Sequence, residues 1–328
     1  MKIKKMIRPA RVMGAVAAAI SMFAATSALA DESWPQNPVK VYVPYTAGGP
    51  VDTVTRLLME HVAKSIDQTI IIENKPGANT QISTAQLARA TPDGYTFGVV
   101  PVAYTTNQVL FEKQLYQPSD FTAVSHIVDI PLFLFVPKDL PVNNVKELAD
   151  WSRENKPSYA STGVGSTGHL LGESFAMTAD FEGTHVAYNG SAQAMPNLIT
   201  GLVSYFFDPA TGGMPHVESG KLKVLAVSLP ERCECAPDVP TMAESGYPDI
   251  VQSSWIGLLA PSGTPDAIVQ RMSSEIAKAL RQPEFVERLQ TMGFGAVGST
   301  PEELQALIDR DLKVYGEIAR KANISLTN

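Results

Sequence analysis

The stretch Val39-Lys-Val-Tyr-Val43, followed by Pro44 and the pair Gly48-Gly49, constrains this chain more than any other. A run so short and so rich in β-branched side chains predicts a buried strand of a parallel sheet. Pro44 ends it. Gly48 and Gly49 permit backbone angles that other residues resist, and they let a ligand come close to the main chain. Asp52 reads as the N-cap of a helix over 53–65. Unpaired N–H groups and a partial positive charge make a helix start a seat for an anion. The expectation is a carboxylate held by this loop and faced across a cleft by a second loop near residue 165.

The same alternation continues along the chain. Strands are expected over 69–73 and 95–100, with a helix over 80–90 between them and turn chemistry at Pro92-Asp-Gly94. A short helix over 107–111 and strands over 121–128 and 132–136 follow. Strand–helix alternation of this kind predicts a parallel sheet covered on both faces. The pattern then restarts. Helices are expected over 144–154, 169–179, 192–200 and 212–219, and strands over 158–161, 184–188, 203–207 and 223–227. A strand over 255–260 and helices over 265–280 and 283–292 come next. Thr300-Pro-Glu-Glu303 carries the cap, first-turn proline and glutamate of a helix start, with that helix running to 323. No low-complexity linker separates the halves, which argues for strands that cross between two lobes: 31–131 with 251–328, and 132–250.

A length of 328 residues fits about two domains, and 45% hydrophobic residues suffice for a sizeable core. Lys2, Lys4, Lys5, Arg8 and Arg11 precede a short apolar run that ends at Ala28-Leu-Ala30, the pattern of a secretory signal peptide cleaved after Ala30. That segment holds five Lys/Arg and no Asp/Glu, so its removal takes the formal charge from −7 to −12. This balance argues against a nucleic-acid partner and requires any bound anion to be met by local donors. Cys233 and Cys235 are too few for a metal site, and either a small disulfide ring or two free thiols is open to them. His61, His126, His169, His185 and His216 have no metal-ligand spacing, and no cofactor is expected.

The second glycine loop spells Gly163-Val-Gly165-Ser-Thr-Gly168 between an expected strand and an expected helix. A dinucleotide site would also want an acidic residue at the end of the next strand, where Tyr188-Asn189 stands. Smaller anions suit the same backbone N–H groups and the hydroxyls of Ser166 and Thr167. A plain strand–helix turn is the competing reading. Gly-x-Ser-x-Gly does not occur, so a hydrolase would have to use Ser166 with His169, three residues away at a helix start. Asp208 is either a cleft carboxylate or a cap for the next segment. Tyr45, Tyr104, Tyr188 and Trp255 are candidates for lining a cavity.

Several motifs in order carry a resemblance to a known family. They include Trp34-Pro-x-x-Pro38, Val43-Pro-Tyr-Thr-Ala-Gly-Gly-Pro-Val-Asp52, Glu73-Asn-Lys-Pro-Gly-Ala78 and Thr91-Pro-Asp-Gly-Tyr-Thr96. Further on come Tyr159-Ala-Ser-Thr-Gly-Val-Gly-Ser-Thr-Gly-His-Leu170, His185-Val-Ala-Tyr-Asn-Gly190, Asp238-Val-Pro-Thr-Met-Ala-Glu-Ser-Gly246 and Trp255-Ile-Gly-Leu-Leu-Ala-Pro-Ser-Gly-Thr-Pro265. Over nearly the whole mature chain, the sequence resembles the extracytoplasmic substrate-binding proteins of tripartite tricarboxylate transporters, the Bug proteins. The resemblance implies an α/β, type II-like periplasmic binding protein fold, two lobes with a ligand cleft between them. It also implies two pincer loops, 46–52 and 162–169, closing on a carboxylate. Where the family commonly has Pro-Gly-Gly, this chain has Ala47-Gly48-Gly49 followed by Pro50, which has no N–H to donate. Asn189 replaces the usual lysine after Tyr188.

The resulting expectation is a periplasmic solute-binding protein, monomeric and not an enzyme, that delivers a small organic carboxylate to integral-membrane permease subunits. A carboxylate sensor acting on a membrane receptor and a secreted serine hydrolase are the alternatives. The expected ligand-binding residues are Tyr45, Thr46, Ala47, Gly48, Gly49, Asp52, Thr162, Gly165, Ser166, Thr167, His169, Asn189 and Asp208.

Overall fold

The structure is a computed structural model that describes residues 34–188, 190–322 and 324–325. The expected signal peptide, its cleavage site, Asn189 and the expected helix end at 323 lie outside the described residues. Among the described residues eleven strands form two sheets. The first is built from Val39–Val43 (β1), Ile70–Asn74 (β2), Thr96–Pro101 (β3), Phe121–Ile130 (β4), Ser254–Pro261 (β10) and Gly295–Ala296 (β11). Its order is β11-β4-β10-β3-β1-β2. The second holds Leu132–Pro137 (β5), Ser158–Ser161 (β6), Thr184–Ala187 (β7), Tyr205–Pro209 (β8) and Leu222–Val227 (β9), in the order β7-β6-β8-β5-β9.

Parallel pairing holds only in part. β1 runs parallel to β2 and β3, and β6 to β7 and β8. β10 is antiparallel to both β3 and β4, and β5 is antiparallel to both β8 and β9. The parallel sheet expected from the early strand–helix alternation holds for β1, β2 and β3, and antiparallel pairs enter because the chain changes sheets. It leaves the first at Pro131, between β4 and β5, and returns after β9 as β10, which enters the middle of that sheet in the reverse direction. β5 and most of β10 are buried, as strands covered on both faces must be. The connection between β9 and β10 carries a disulfide joining Cys233 to Cys235.

Helix starts also depart from expectation. The first helix, α1, is Pro50–Ile66, with Gly49 as N-cap; Asp52 is not the cap but lies in the first turn. The physical reason is Pro50. Its fixed φ suits the first helical position, and the N–H it lacks is one a helix start leaves unpaired anyway. Gln81–Ala88 is α2, Ala103–Leu110 α3 and Val145–Asn155 α4. Thr167–Thr178 (α5) begins earlier than expected because Ser166 caps it, accepting from the His169 main-chain N at 3.3 Å. Ser191–Ile199 (α6), Ala210–Glu218 (α7), Asp266–Leu280 (α8), Pro283–Thr291 (α9) and Pro301–Lys321 (α10) complete the set. Thr300 and Glu303 form the expected capping box of α10.

Each sheet has its own apolar cluster. Trp255, Tyr104, Tyr116, Leu304 and Tyr315 lead the first, where Trp255 Nε1 donates to the buried Asp311 Oδ2 at 2.7 Å. Tyr159, Phe175, Tyr205 and Phe207 lead the second. Leu170 of α5 packs into the first cluster rather than the second, so α5 bridges the two halves.

An aromatic stack supports the start of α5. Tyr205 lies on Tyr159 at 5.1 Å between ring centres, and the His169 and His185 rings stack at 3.7 Å. Tyr159 also touches both histidines and bonds Glu173 through its hydroxyl. Burial lowers His169 to about 3, with the neighbouring His185 adding to it, and lowers His185 to about 4. Both rings are therefore neutral at pH 7, which permits their face-to-face contact. Gly172 is what lets α5 lie so close, since a Cβ there would fall 2.2 Å from Tyr159 Cε2.

Two outcomes follow for stability. Gly172→Ala should cost about 1–3 kcal/mol in urea unfolding, as Tyr159 has no free direction to move. For the histidine pair, the unfolded chain takes protons first as pH falls below 6.5, because the folded pKa values are depressed. The stabilisation present above that pH is lost progressively down to about pH 3. A melting temperature series from about pH 7 to about pH 4.5 should fall steeply, and a His169→Asn, His185→Asn double variant should show a shallower fall.

Candidate functional site

Between the two sheets lies a cavity of about 410 Å³. The first sheet and its connections supply Tyr45, Asn79, Pro101, Val102, Ala103 and Ser254, and the second half supplies residues 162–168, Ser191 and Pro209. Ile130 and Leu132 flank the crossover at its base. Among the described residues no lysine, arginine, histidine, aspartate or glutamate lines it. What the cavity does have is helix starts. Ala103 opens α3, Thr167 and Gly168 open α5, and Ser191 opens α6. Three positive dipole ends thus meet an uncharged cleft, each worth about 0.3–1 kcal/mol to an anion. The cavity of about 550 Å³ around the disulfide differs in kind, being lined by the charged Asp129, Arg232, Glu234 and Arg281.

The loop after β6 is assembled from inside. Gly163 and Gly165 take φ of +136° and +79°, a region where a side chain would be strained. Ser161 Oγ accepts from Gly163 N at 3.1 Å, and His169 Nδ1 accepts from Gly165 N at 3.1 Å. Since that N–H can only donate, the neutral His169 carries its proton on Nε2. Ser166 N donates to Gly163 O at 3.2 Å. These bonds use the inward donors and leave the Thr167 and Gly168 N–H groups, which helix geometry leaves unpaired, at the cavity. Thr167 Oγ1 is buried and has no hydrogen-bond partner among the described residues. Gly168 seats α5 against β8, where a Cβ would lie 2.6 Å from Phe207 O.

The loop after β1 is placed differently from expectation. Of its residues only Tyr45 lines the cavity; Thr46, Ala47 and Gly48 are exposed and Gly49 is half-buried. Asp52 is buried behind the loop as its anchor. Its Oδ2 accepts from Gly48 N and Arg56 Nε, both at 2.9 Å, and its Oδ1 accepts from Asn74 Nδ2 at 2.8 Å. Asn74 also donates to Tyr45 O. Burial pushes the Asp52 carboxyl up, but the bonds from Arg56, Gly48 and Asn74 outweigh it and hold the group at about 2. A carboxylate so ionised and so fully bonded has no capacity left for a ligand anion.

His169 likewise does not line the cavity; it is buried behind the second loop, with its ring between Gly165 N and His185. The hydrolase reading therefore lacks its dyad, because Ser166 Oγ caps the helix and the imidazole Nδ1 is occupied by a main-chain donor. Asp208 is buried on β8, where its Oδ1 accepts from Ser191 Oγ at 2.6 Å. Thr162, Gly165, Ser166 and Thr167 all line the cavity.

Asn79, Val102, Ala103, Ser191 and Ser254 line the cavity too and were not anticipated. Asn79 sits in a run of left-handed residues, with Ala78, Asn79 and Thr80 at φ of +46°, +46° and +74°. Such strain persists only where surroundings impose it. Asn107 does so here, donating from Nδ2 to Asn79 O and accepting Asn79 Nδ2 at its Oδ1, both at 2.7 Å. Pro76-Gly-Ala-Asn79 between strand and helix was the available signal, since asparagine tolerates this region better than most residues.

Residues 54–324 match the family model described as the tripartite tricarboxylate transporter family receptor, TctC. The structure of the periplasmic binding protein BugD is 34% identical, with a TM-score of 0.71, covering 90% of this chain and 100% of that one. Rpa4515 of R. palustris, solved with adipate, is 31% identical with a TM-score of 0.75, over 90% of this chain and 100% of that one. MatC from Rhodopseudomonas palustris, solved with bound malate, is 30% identical with a TM-score of 0.71, over 87% of this chain and 99% of that one. The chain has the two-lobed α/β fold of periplasmic binding proteins and belongs to the tripartite tricarboxylate transporter receptor family, the TctC or Bug binding proteins, which are not enzymes.

Proposed function

We propose that this chain captures a small organic dicarboxylate in the cleft and presents it to the integral-membrane permease of a tripartite transporter, on the periplasmic side and as a monomer. The observation that carries the reading is the meeting of three helix starts in a cavity that no charged side chain lines among the described residues. A negative ligand there is held by N–H and O–H donors rather than by a counter-ion. Structural relatives bound to adipate and to malate support the ligand class. The Thr167 and Gly168 N–H groups and the Thr167 hydroxyl hold one carboxylate, and Ser191 and Asn79 bound the rest of the ligand.

The first loop completes the site on closure. Residues 31–131 with 251–328 act as one body and 132–250 as the other, hinged at Pro131 and at the segment leading into β10. Swinging them together brings Thr46–Gly49 over the ligand and expels water, which strengthens every hydrogen bond inside. Asp52 and His169 serve this site by holding the two loops in shape, not by touching the ligand.

A thermal-shift panel tests the function. Adipate, malate or a related dicarboxylate at a hundred times its Kd should add about 2.7 kcal/mol of stability, and should be recovered unchanged. A panel without any concentration-dependent shift would end the reading. The loop anchor has its own test by calorimetry and urea unfolding. Asp52→Ala removes the acceptor of Gly48, Arg56 and Asn74, should cost about 1–3 kcal/mol in stability, and should raise the Kd severalfold. An unchanged Kd would show that the first loop takes no part in binding.

A further inference from the structure

Asp208 is a fully buried acid with nothing of opposite charge acting on it, directly behind the wall of the cleft. Its Oδ1 meets Ser191 Oγ at 2.6 Å, and Ser191 lines the cavity at the start of α6. Its Oδ2 has no partner among the described residues. That oxygen occupies the space beside Gly212, where a Cβ would come within 1.9 Å of it, so only glycine leaves it room. We propose that Asp208 and Ser191 form a proton-responsive pair that decides whether this wall of the cavity offers a donor or an acceptor, so that binding a dianionic carboxylate takes up one proton. The proposal rests on the reading that the cleft holds a carboxylate, and it adds which protonation state the site requires.

The argument is one of counting protons. A serine hydroxyl has one proton to give. When Asp208 is ionised, that proton is committed to Oδ1, and Ser191 turns a lone pair toward the cavity. A carboxylate oxygen arriving there meets an acceptor, with a second negative charge close behind it. When Asp208 takes a proton from solvent, its own O–H can donate to Ser191 Oγ. The serine proton is then free to point into the cavity and donate to the ligand. No bond other than these hydrogen bonds changes, and the only species consumed is the solvent proton.

The surroundings leave this choice to Asp208. β5 and α6, both packed against β8, contain no ionisable side chain. α5 carries His169 and Glu173, α7 carries His216 and Glu218, β6 carries Tyr159, and β8 itself carries Tyr205. None of them acts electrostatically on Asp208. Burial is the largest cause of its shift, pushing it up, and the Ser191 hydrogen bond opposes that only in part, leaving it at about 7. The group is thus poised where a nearby ligand charge raises its proton occupancy further. By linkage, affinity is level below the free value and falls as pH rises above it, by up to about tenfold per pH unit for one proton.

The test uses the mature protein with adipate and malate as probes, whose carboxyl groups are ionised throughout the range from about pH 6 to about pH 8.5. Calorimetry in two buffers of different ionisation enthalpy should find close to one proton taken up per ligand near pH 8. The Kd should rise about tenfold per pH unit above about pH 7. In Asp208→Asn, which cannot ionise, the Kd should vary less than about twofold over the same range. A wild-type Kd independent of pH with no proton uptake, or a variant that keeps the full slope, overturns the pair while leaving carboxylate capture standing. No binding by either probe or by the wider panel at any pH overturns the capture reading, and this proposal with it. The buffer experiment needs only the wild-type chain, so it decides the matter even where the variant fails to fold.

Discussion

Everything in this cleft depends on main-chain N–H groups at the start of α5 being left without an acceptor and facing a cavity. Such donors are fixed in direction and cost no side-chain entropy when a ligand arrives. They create a positive potential where no basic residue stands. This resolves a difficulty posed by the chain as a whole, which carries a formal charge of −7. A long-range field would repel an anion, yet local dipoles in a partly dry cleft outweigh it, because screening confines distant charges to a reach of about 8–10 Å.

Holding those donors in place is the work of groups the ligand does not touch. Behind the second loop, His169 accepts from Gly165 while its ring rests on His185, and Tyr159 and Tyr205 continue the stack into the core. Behind the first, Asp52 gathers Gly48, Arg56 and Asn74. The two supports use opposite electrostatics. Asp52 stays ionised because three donors surround it, and the histidines stay neutral because burial is uncompensated. Both solutions keep free charge out of the ligand's path. Asn107, clamping the left-handed run through Asn79, is the equivalent support on a third side. Of these helpers, Asp52 and His169 are the two that the sequence marks as candidates for the ligand, and both lie behind their loops.

The crossing strands link these supports to one another. β4 and β5 join at Pro131, and β10 returns to the centre of the first sheet, so each lobe contains a strand contiguous with a connection to the other. Leu170, on the same helix as the anion-facing donors, packs into the cluster of Trp255, Leu304 and Tyr315. The start of α5 is therefore tied to both halves.

What could be read in the linear chain was local. β1, with its β-branched residues, was legible, as were the capping box at Thr300 and Glu303 and the glycines at 163, 165 and 168, because each is decided within a few residues by backbone sterics and hydrogen bonding. The same holds for the motifs that placed the chain among carboxylate-binding receptors. Where a side chain came to face was not local. Asp52 and His169 looked like ligands and became supports, because depth behind a loop depends on the elements packed beneath it. Ser191 and Asn79 are not among the expected site residues and line the cavity, because strands distant in sequence bring their loops to one cleft. Residue type and spacing alone thus determined a chain of strands and helices with anion-seeking helix starts. Only the tertiary structure decided which of those starts converge and which polar groups are already spent, since convergence and burial belong to contacts between segments far apart in the chain.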